Sequence, residues 1–190
     1  MLDIPCVIFA GGKSSRMGED KALLPFASYP TLLEYQYDRL SKIFQKVYIS
    51  CKERTLYHFD ANFIEDDKSG NIYAPTAGFA AIYENISDEC FFALSVDSPF
   101  IDQTVIQKII QYDSNDYDAT IAKTPQGIQP LCGIYHRTLE KSFNKMLADD
   151  NHKLGFLLKN VRTKYCLFDD TDIFLNMNYP QDYQKALSLI

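Results

Sequence analysis

The sequence predicts an α/β fold built on a largely parallel sheet. An apolar run from Ile4 to Ala10, broken only by Pro5, ends in the pair Gly11-Gly12. A helical pattern follows over 31–44, and Lys46 to Cys51 is again strand-like, so strand, loop, helix and strand within about fifty residues make a βαβ unit. The most apolar strand, Cys90-Phe91-Phe92-Ala93-Leu94-Ser95-Val96, reads as central, because a parallel strand is covered on both faces.

Each further element has its own signal. Thr31-Leu32-Leu33-Glu34 reads as a capping box, and Leu33, Tyr37, Leu40 and Phe44 form one apolar helical face. A short strand near 62–66 ends in acidic residues, and 76–86 has helical composition with small residues at its start. Asp102 caps a helix carrying Val105, Ile106, Ile109 and Ile110. The runs 117–123 and 129–135, joined by Thr124-Pro125-Gln126-Gly127, predict a hairpin that departs from strict β/α alternation. Helices over 139–147 and 153–158, a strand over 164–168 and a last helix opened by Pro180 complete the chain.

A chain of 190 residues with 46% hydrophobic content predicts a single domain over residues 1–190. With 19 basic against 25 acidic residues and a net charge of −6, the composition argues against nonspecific nucleic-acid binding and a basic membrane surface and points to small molecules as partners. Met1 to Pro5 carries no basic leader, and no run of about 18 apolar residues occurs, so the expected compartment is the cytoplasm. Five cysteines without Cys-x-x-Cys spacing support neither a disulfide framework nor a zinc site; only Cys132 lies close to a possible substrate segment. His58, His136 and His152 lack companions at ligand or triad spacing, so no catalytic histidine is expected.

The chemistry concentrates after the first strand. Gly11 and Gly12 allow close backbone approach to an anion, Ser14 and Ser15 add hydroxyl donors, and Lys13, Arg16 and Lys21 place three cations along a loop of about ten residues. Neither of the two commonest phosphate fingerprints fits: the P-loop would need glycine at Val7, and Gly-x-Gly-x-x-Gly is absent. Asp97 closes the central strand. Ligands bind beyond the carboxyl ends of parallel strands, so Asp97 and the Gly11 loop converge if their strands are neighbours, and a carboxylate there suits Mg²⁺. Asn176 and Asn178 offer neutral amides that can read a heterocycle or phosphate edge, although Asn178 could equally be a helix cap.

The pattern Ala10-Gly11-Gly12-x-Ser14-x-Arg16-Met17-Gly18-x-Asp20-Lys21 resembles the nucleotidyltransferase signature. In its double glycine and Asp20-Lys21 ending it resembles the molybdenum cofactor guanylyltransferase family of the MobA-like NTP transferase superfamily. Ile64-Glu65-Asp66, Pro75-x-x-Gly78, Gln129-Pro130-x-x-Gly133 and Asn176-x-Asn178-x-Pro180-x-Asp182 are similar to further segments of that family. The resemblance implies a three-layer α/β/α sandwich with a Rossmann-like sheet of the nucleotide-diphospho-sugar transferase type, the N-terminal part binding nucleotide and the C-terminal part the acceptor. It implies Mg²⁺-dependent transfer of GMP from GTP to the terminal phosphate of molybdenum–molybdopterin, with release of pyrophosphate, by a monomer in transient contact with molybdoenzyme maturation proteins.

Carried over by position, Arg16, Lys21 and Asp97 would be catalytic, with Asp97 the metal ligand. Phe9, Ala10, Gly11, Gly12, Lys13 and Ser14, with Lys21, Ser50, Asp66, Gly78 and Asp97, would bind the nucleotide. Gln129, Pro130, Gly133, Asn176 and Asn178 would line the acceptor side. Ser50 departs from the Asn that many members carry at the end of the second strand, so cytidylyl transfer to the same cofactor stays open. More distant is nucleotidyl transfer to a sugar phosphate or methylerythritol phosphate. A noncatalytic nucleotide or cofactor carrier is the reading from another class, and it predicts tolerance of Asp97→Ala.

Overall fold

Strand β1 (Cys6–Phe9) is buried at every residue, which is why it reads as an unbroken apolar run rather than an alternating one. The computed structural model describes residues 1–11, 20–66 and 75–190. After β1 come α1 (Leu32–Ser41), β2 (Val47–Cys51), β3 (Asn62–Glu65), α2 (Pro75–Asn85), β4 (Cys90–Ser95) and α3 (Gln103–Tyr112). The second half contains β5 (Ala119–Thr124), β6 (Gly127–His136), α4 (Glu140–Ala148), α5 (Leu154–Asn160), β7 (Thr163–Leu167) and α6 (Pro180–Leu187).

The strands form one seven-stranded sheet in the order β3-β2-β1-β4-β6-β5-β7. Every pairing is parallel except the two made by β6, which runs against both β4 and β5. The expected hairpin is therefore present, with Gly127 at φ 139°, a conformation only glycine takes readily. Its second strand lies between the first and β4, pairing with both.

Alternate residues of the strands feed two cores, one on each face. Cys6, Ile8 and Leu94 pack with Leu33 and Leu40 of α1, Val105 and Ile109 of α3 and Ala186 of α6. Val7, Phe9 and Ala93 pack with Phe79 and Ile82 of α2, Phe143 of α4 and Leu157 of α5. The result is the expected three-layer α/β/α sandwich. Thr31 caps α1 as its sequence predicts, its hydroxyl oxygen accepting from the Glu34 N–H at 3.1 Å; the Glu34 carboxylate accepts from the Thr31 hydroxyl at 3.3 Å, not from the Thr31 N–H. α1 stops at Ser41, short of the predicted 44, yet Phe44 still enters the core. All five cysteines are free, and no helix of the described residues is long and apolar enough to cross a membrane.

Candidate active site

The chain builds β2 and β3 to one side of β1 and then crosses to place β4 on the other, with Ser95 opposite Phe9. A crevice opens at the carboxyl ends of strands where such a reversal occurs. Two groups of residues meet there.

The first is a shelf made by Gly11, Ser50, Asp66 and Gly78. The Ser50 hydroxyl donates to Asp66 Oδ1 at 3.3 Å, and both side chains are buried. A Cβ at Gly78 would lie 2.6 Å from Ser50 Oγ, 3.2 Å from the Phe9 ring and 3.4 Å from Asp66 Oδ1, so any side chain at this position of α2 would have to displace Ser50. A Cβ at Gly11 would sit 3.6 Å from Asp66 Oδ2, which places the start of the glycine loop over the same carboxylate. Burial pushes the Asp66 carboxyl up to about 6, against the opposing hydrogen bond from Ser50 and the charge of Lys52. Phe9 and Ala10 form the buried floor: the Phe9 ring packs on Phe79 with centroids 4.7 Å apart, and the Ala10 N–H donates to the Ser50 carbonyl.

The second group surrounds Lys21. Asp20 Oδ1 accepts from the Ala22 N–H at 3.0 Å, capping a short turn over 21–23 of which Lys21 is the first residue. Lys21 Nζ donates to Asp97 Oδ2 and to Asn178 Oδ1, each at 2.9 Å. Asp97 and Asn178 wall a cavity of about 250 Å³ together with Ser95, Ser98, Gln129, Pro130, Leu131, Cys132, Leu154, Phe174 and Asn176. The segment 176–178 is tied to the end of β4: the Met177 N–H donates to the Asp97 carbonyl at 3.0 Å, and Ser98 Oγ lies 2.5 Å from Asn176 Oδ1. Asn176 Nδ2 in turn donates to Gln129 Oε1 at 3.3 Å. Asn178 is not the cap of α6. Asp182 Oδ2 accepts the N–H groups of both Asn178 and Tyr179, which leaves the Asn178 amide to the cavity.

The inner wall exists because β6 breaks its ladder with β5. Pairing runs Ala122 to Gln129 and then Ile121 to Gly133, so 130–132 bulge out of register. Pro130, lacking an N–H, donates nothing to a ladder, and the Tyr135 hydroxyl pins its carbonyl at 2.6 Å. Gly133, expected on the acceptor side, is instead buried where the ladder resumes; a Cβ there would lie 2.3 Å from the Thr120 carbonyl oxygen. It shapes the wall from inside the sheet, while Gln129 and Pro130 face the cavity.

Lys21, Asp97, Gln129, Pro130, Asn176 and Asn178 are thus brought together, with Gly11, Ser50, Asp66 and Gly78 on the neighbouring shelf. Gly12, Lys13, Ser14 and Arg16 lie outside the described residues. Sequence reasoning gave no role to Ser98 and read Asp20 only as part of the signature; a hydroxyl beside Asp97 and an Asx residue before Lys21-Ala22-Leu23 are the signals that mark what they do. Among the described residues no three His, Cys, Asp or Glu side chains cluster as a metal cage. The single carboxylate Asp97 matches a Mg²⁺ held by one protein carboxylate and substrate phosphates. Cys132 is a neutral thiol, its ionisation pushed well up by burial.

Residues 6–164 match the model of the MobA-like NTP transferase domain. Over 187 residues the chain is 39% identical to a molybdenum cofactor guanylyltransferase of Campylobacter jejuni subsp. doylei, covering 98% of this chain and 96% of that one. It is 33% identical to a molybdenum cofactor guanylyltransferase of Helicobacter pylori strain J99, covering 99% and 90%. The fold superposes on the crystal structure of molybdopterin-guanine dinucleotide biosynthesis protein A from Archaeoglobus fulgidus with a TM-score of 0.84 at 20% identity, covering 98% of each chain. A glycine-lined shelf beside a lysine–carboxylate pair, in a chain related to these proteins over nearly its whole length, places it in the molybdenum cofactor guanylyltransferase family of MobA-like NTP transferases, and so among the nucleotidyltransferases.

Proposed function

We propose that this protein transfers GMP from GTP to the terminal phosphate of molybdenum–molybdopterin and releases pyrophosphate. The observation that carries the reading is the position of Lys21, whose ammonium donates to both Asp97 and Asn178 on the wall of the amide-lined cavity, at the same end of the sheet as the shelf residues Gly11 and Ser50. The N-terminal part would hold the nucleotide and the C-terminal part the acceptor, with their reacting ends meeting at Lys21.

A terminal phosphate oxygen of the acceptor is already anionic, so its attack on the α-phosphorus needs no general base. The new O–P bond forms as the bond to the β-phosphate oxygen breaks, and pyrophosphate carries away the electron pair. The protein's work is alignment and stabilisation of charge. Lys21 would turn from Asp97 toward the phosphates, where its charge offsets that developing on the leaving pyrophosphate. Asp97 would hold Mg²⁺, which supplies Lewis-acid polarisation of the phosphate oxygens when bound. Asp66 supports guanine as the base: an ionised carboxylate only accepts, and guanine offers two adjacent donors where cytosine offers one beside an acceptor. The amides of Gln129, Asn176 and Asn178 would orient the pterin end. Five free cysteines suit a reducing compartment, and we place the reaction in the cytoplasm, where GTP is drawn from the nucleotide pool.

The test is pyrophosphate release with GTP, CTP, ATP and UTP in the presence of Mg²⁺ and molybdenum–molybdopterin, comparing wild type with Asp97→Ala. Release with GTP that is lost in the variant supports the proposal. Release with CTP transfers the base preference to the Ser50 shelf, and release that survives Asp97→Ala removes Asp97 from the mechanism.

A further inference from the structure

α4 ends in an unusual way. The Asn151 N–H donates to the Met146 carbonyl at 2.9 Å and the Asp150 N–H to the Leu147 carbonyl at 3.2 Å, the paired bonds of a Schellman motif. The residue in the left-handed conformation of such a motif is usually glycine, yet here it is Asp150, at φ 50°. A side chain kept where it strains the backbone is a reason to ask what that side chain does.

The Asp150 carboxylate holds His152. His152 Nε2 lies 2.8 Å from Asp150 Oδ1, and His152 Nδ1 lies 2.6 Å from Thr76 Oγ1. An ionised carboxylate only accepts, so Nε2 donates to Asp150, and in the neutral ring Nδ1 then accepts from the Thr76 hydroxyl. Thr76 is fully buried in the first turn of α2, two residues before Gly78 and its close approach to Ser50, Phe9 and Asp66. Two residues beyond His152, Leu154 opens α5 and lines the cavity.

We propose that His152 is a positioning residue: pinned by Asp150, it fixes the first turn of α2, and with it Gly78, over the nucleotide shelf, and links that turn to the segment lining the acceptor cavity. The inference rests on the reading of the Ser50–Asp66 shelf as the nucleotide site. It assigns no bond-making role to the imidazole, which touches neither reacting group. It accounts for the aspartate in a glycine's place: the backbone strain is retained because the carboxylate is needed to hold the ring.

Steady-state kinetics with GTP on His152→Ala, Thr76→Val, Thr76→Ser and Asp150→Gly, with melting temperatures, test it. Loss of the part-buried His152–Thr76 hydrogen bond should raise KM for GTP roughly threefold to tenfold in His152→Ala and Thr76→Val, with kcat within about twofold of wild type. Thr76→Ser keeps the hydroxyl and should restore wild-type KM. Asp150→Gly relieves the left-handed strain and should melt at or above wild type, yet still show the raised KM; a merely structural role predicts no such split. Should Thr76→Val fail to fold, His152→Ala and Asp150→Gly carry the test. An unchanged KM in both His152→Ala and Asp150→Gly overturns the inference while leaving the nucleotide site intact. Equilibrium binding of GTP with Mg²⁺ to the wild type separates the two levels, since absence of binding there removes the site reading and the inference with it.

Discussion

Lys21 and Asp97, 76 residues apart in the chain, form an ion pair at 2.9 Å in which both side chains are only 15% exposed. The pair places a fixed cation on the carboxylate proposed to hold Mg²⁺. Metal and lysine therefore compete for Asp97 until the phosphates offer Lys21 another partner. In the absence of nucleotide, Lys21→Met should bind Mn²⁺, a paramagnetic stand-in for Mg²⁺, several-fold more tightly than wild type, as read by electron paramagnetic resonance. The same variant should lose a factor of about 10² or more in turnover, because the charge at the α-phosphorus is gone. Weaker Mn²⁺ binding in Lys21→Met would refute the competition.

Asp66 gives the site a pH dependence with a definite sign. Its folded pKa of about 6 lies above the ordinary aspartate value, so its ionisation works against folding. The associated stability is fully present below about pH 4 and is lost as the pH rises through about 6. Asp66→Asn should raise the melting temperature by several degrees at pH 7.5, equivalent to about 3 kcal/mol at most, with no gain at pH 4.

The same carboxylate should govern nucleotide affinity in the opposite direction. If Asp66 accepts donors from the base, its ionised form binds. KM for GTP then rises as the pH falls below about 6, and this limb disappears in Asp66→Asn, which binds poorly at every pH. A wild-type KM that stays flat between pH 5 and pH 8 would remove Asp66 from base recognition.

Ser98, Asn176 and Gln129 form a chain of hydrogen bonds along the cavity wall. Ser98→Ala removes its anchor without altering any shelf residue. KM for the molybdopterin acceptor should rise about threefold to tenfold while KM for GTP is unchanged. An equal rise in both would mean that the wall and the shelf move together.

Two glycines of the hairpin separate space from conformation. Gly133→Ala drives a methyl group into the Thr120 carbonyl and should prevent folding or lower the melting temperature by ten degrees or more. Gly127→Ala meets no atom within 4 Å and bears only the cost of φ 139°, so it should fold and melt a few degrees lower. Calorimetry on the two variants checks the contrast.

Much of this was legible in the sequence because it is local. Thr31 and Asp102 announce helix starts and the apolar runs announce buried strands, whereas the anion site read in the loop after β1 falls largely on 12–19, outside the described residues. Asp97 was readable because carboxyl ends of parallel strands collect function. What escaped depends on long-range register. Nothing near Gly133 reveals that Thr120 will press against it, and its neighbours Gln129 and Pro130 made it look like part of the lining. His152 has no companion in sequence, because Thr76 stands 76 residues away and Asp150 acts through an unusual backbone angle. Asn178 could be read as a cap or as a ligand until Asp182 was seen to do the capping.

The place of β6 between β4 and β5 also bears on how the chain emerges from the ribosome. β4 finds its first neighbour in β1, synthesised earlier, but its other side is closed only by residues 132–136, made after the rest of the hairpin. During that interval Phe91-Phe92-Ala93-Leu94 is an apolar sheet border with unpaired amides, the kind of segment that recruits another copy or a chaperone. A nascent chain stalled at residue 118 should therefore aggregate or be held by a chaperone, whereas one stalled beyond β7 should release it. The bulge that hollows out the cavity is thus reached late, on the strand that also ends the period of greatest exposure to misassembly.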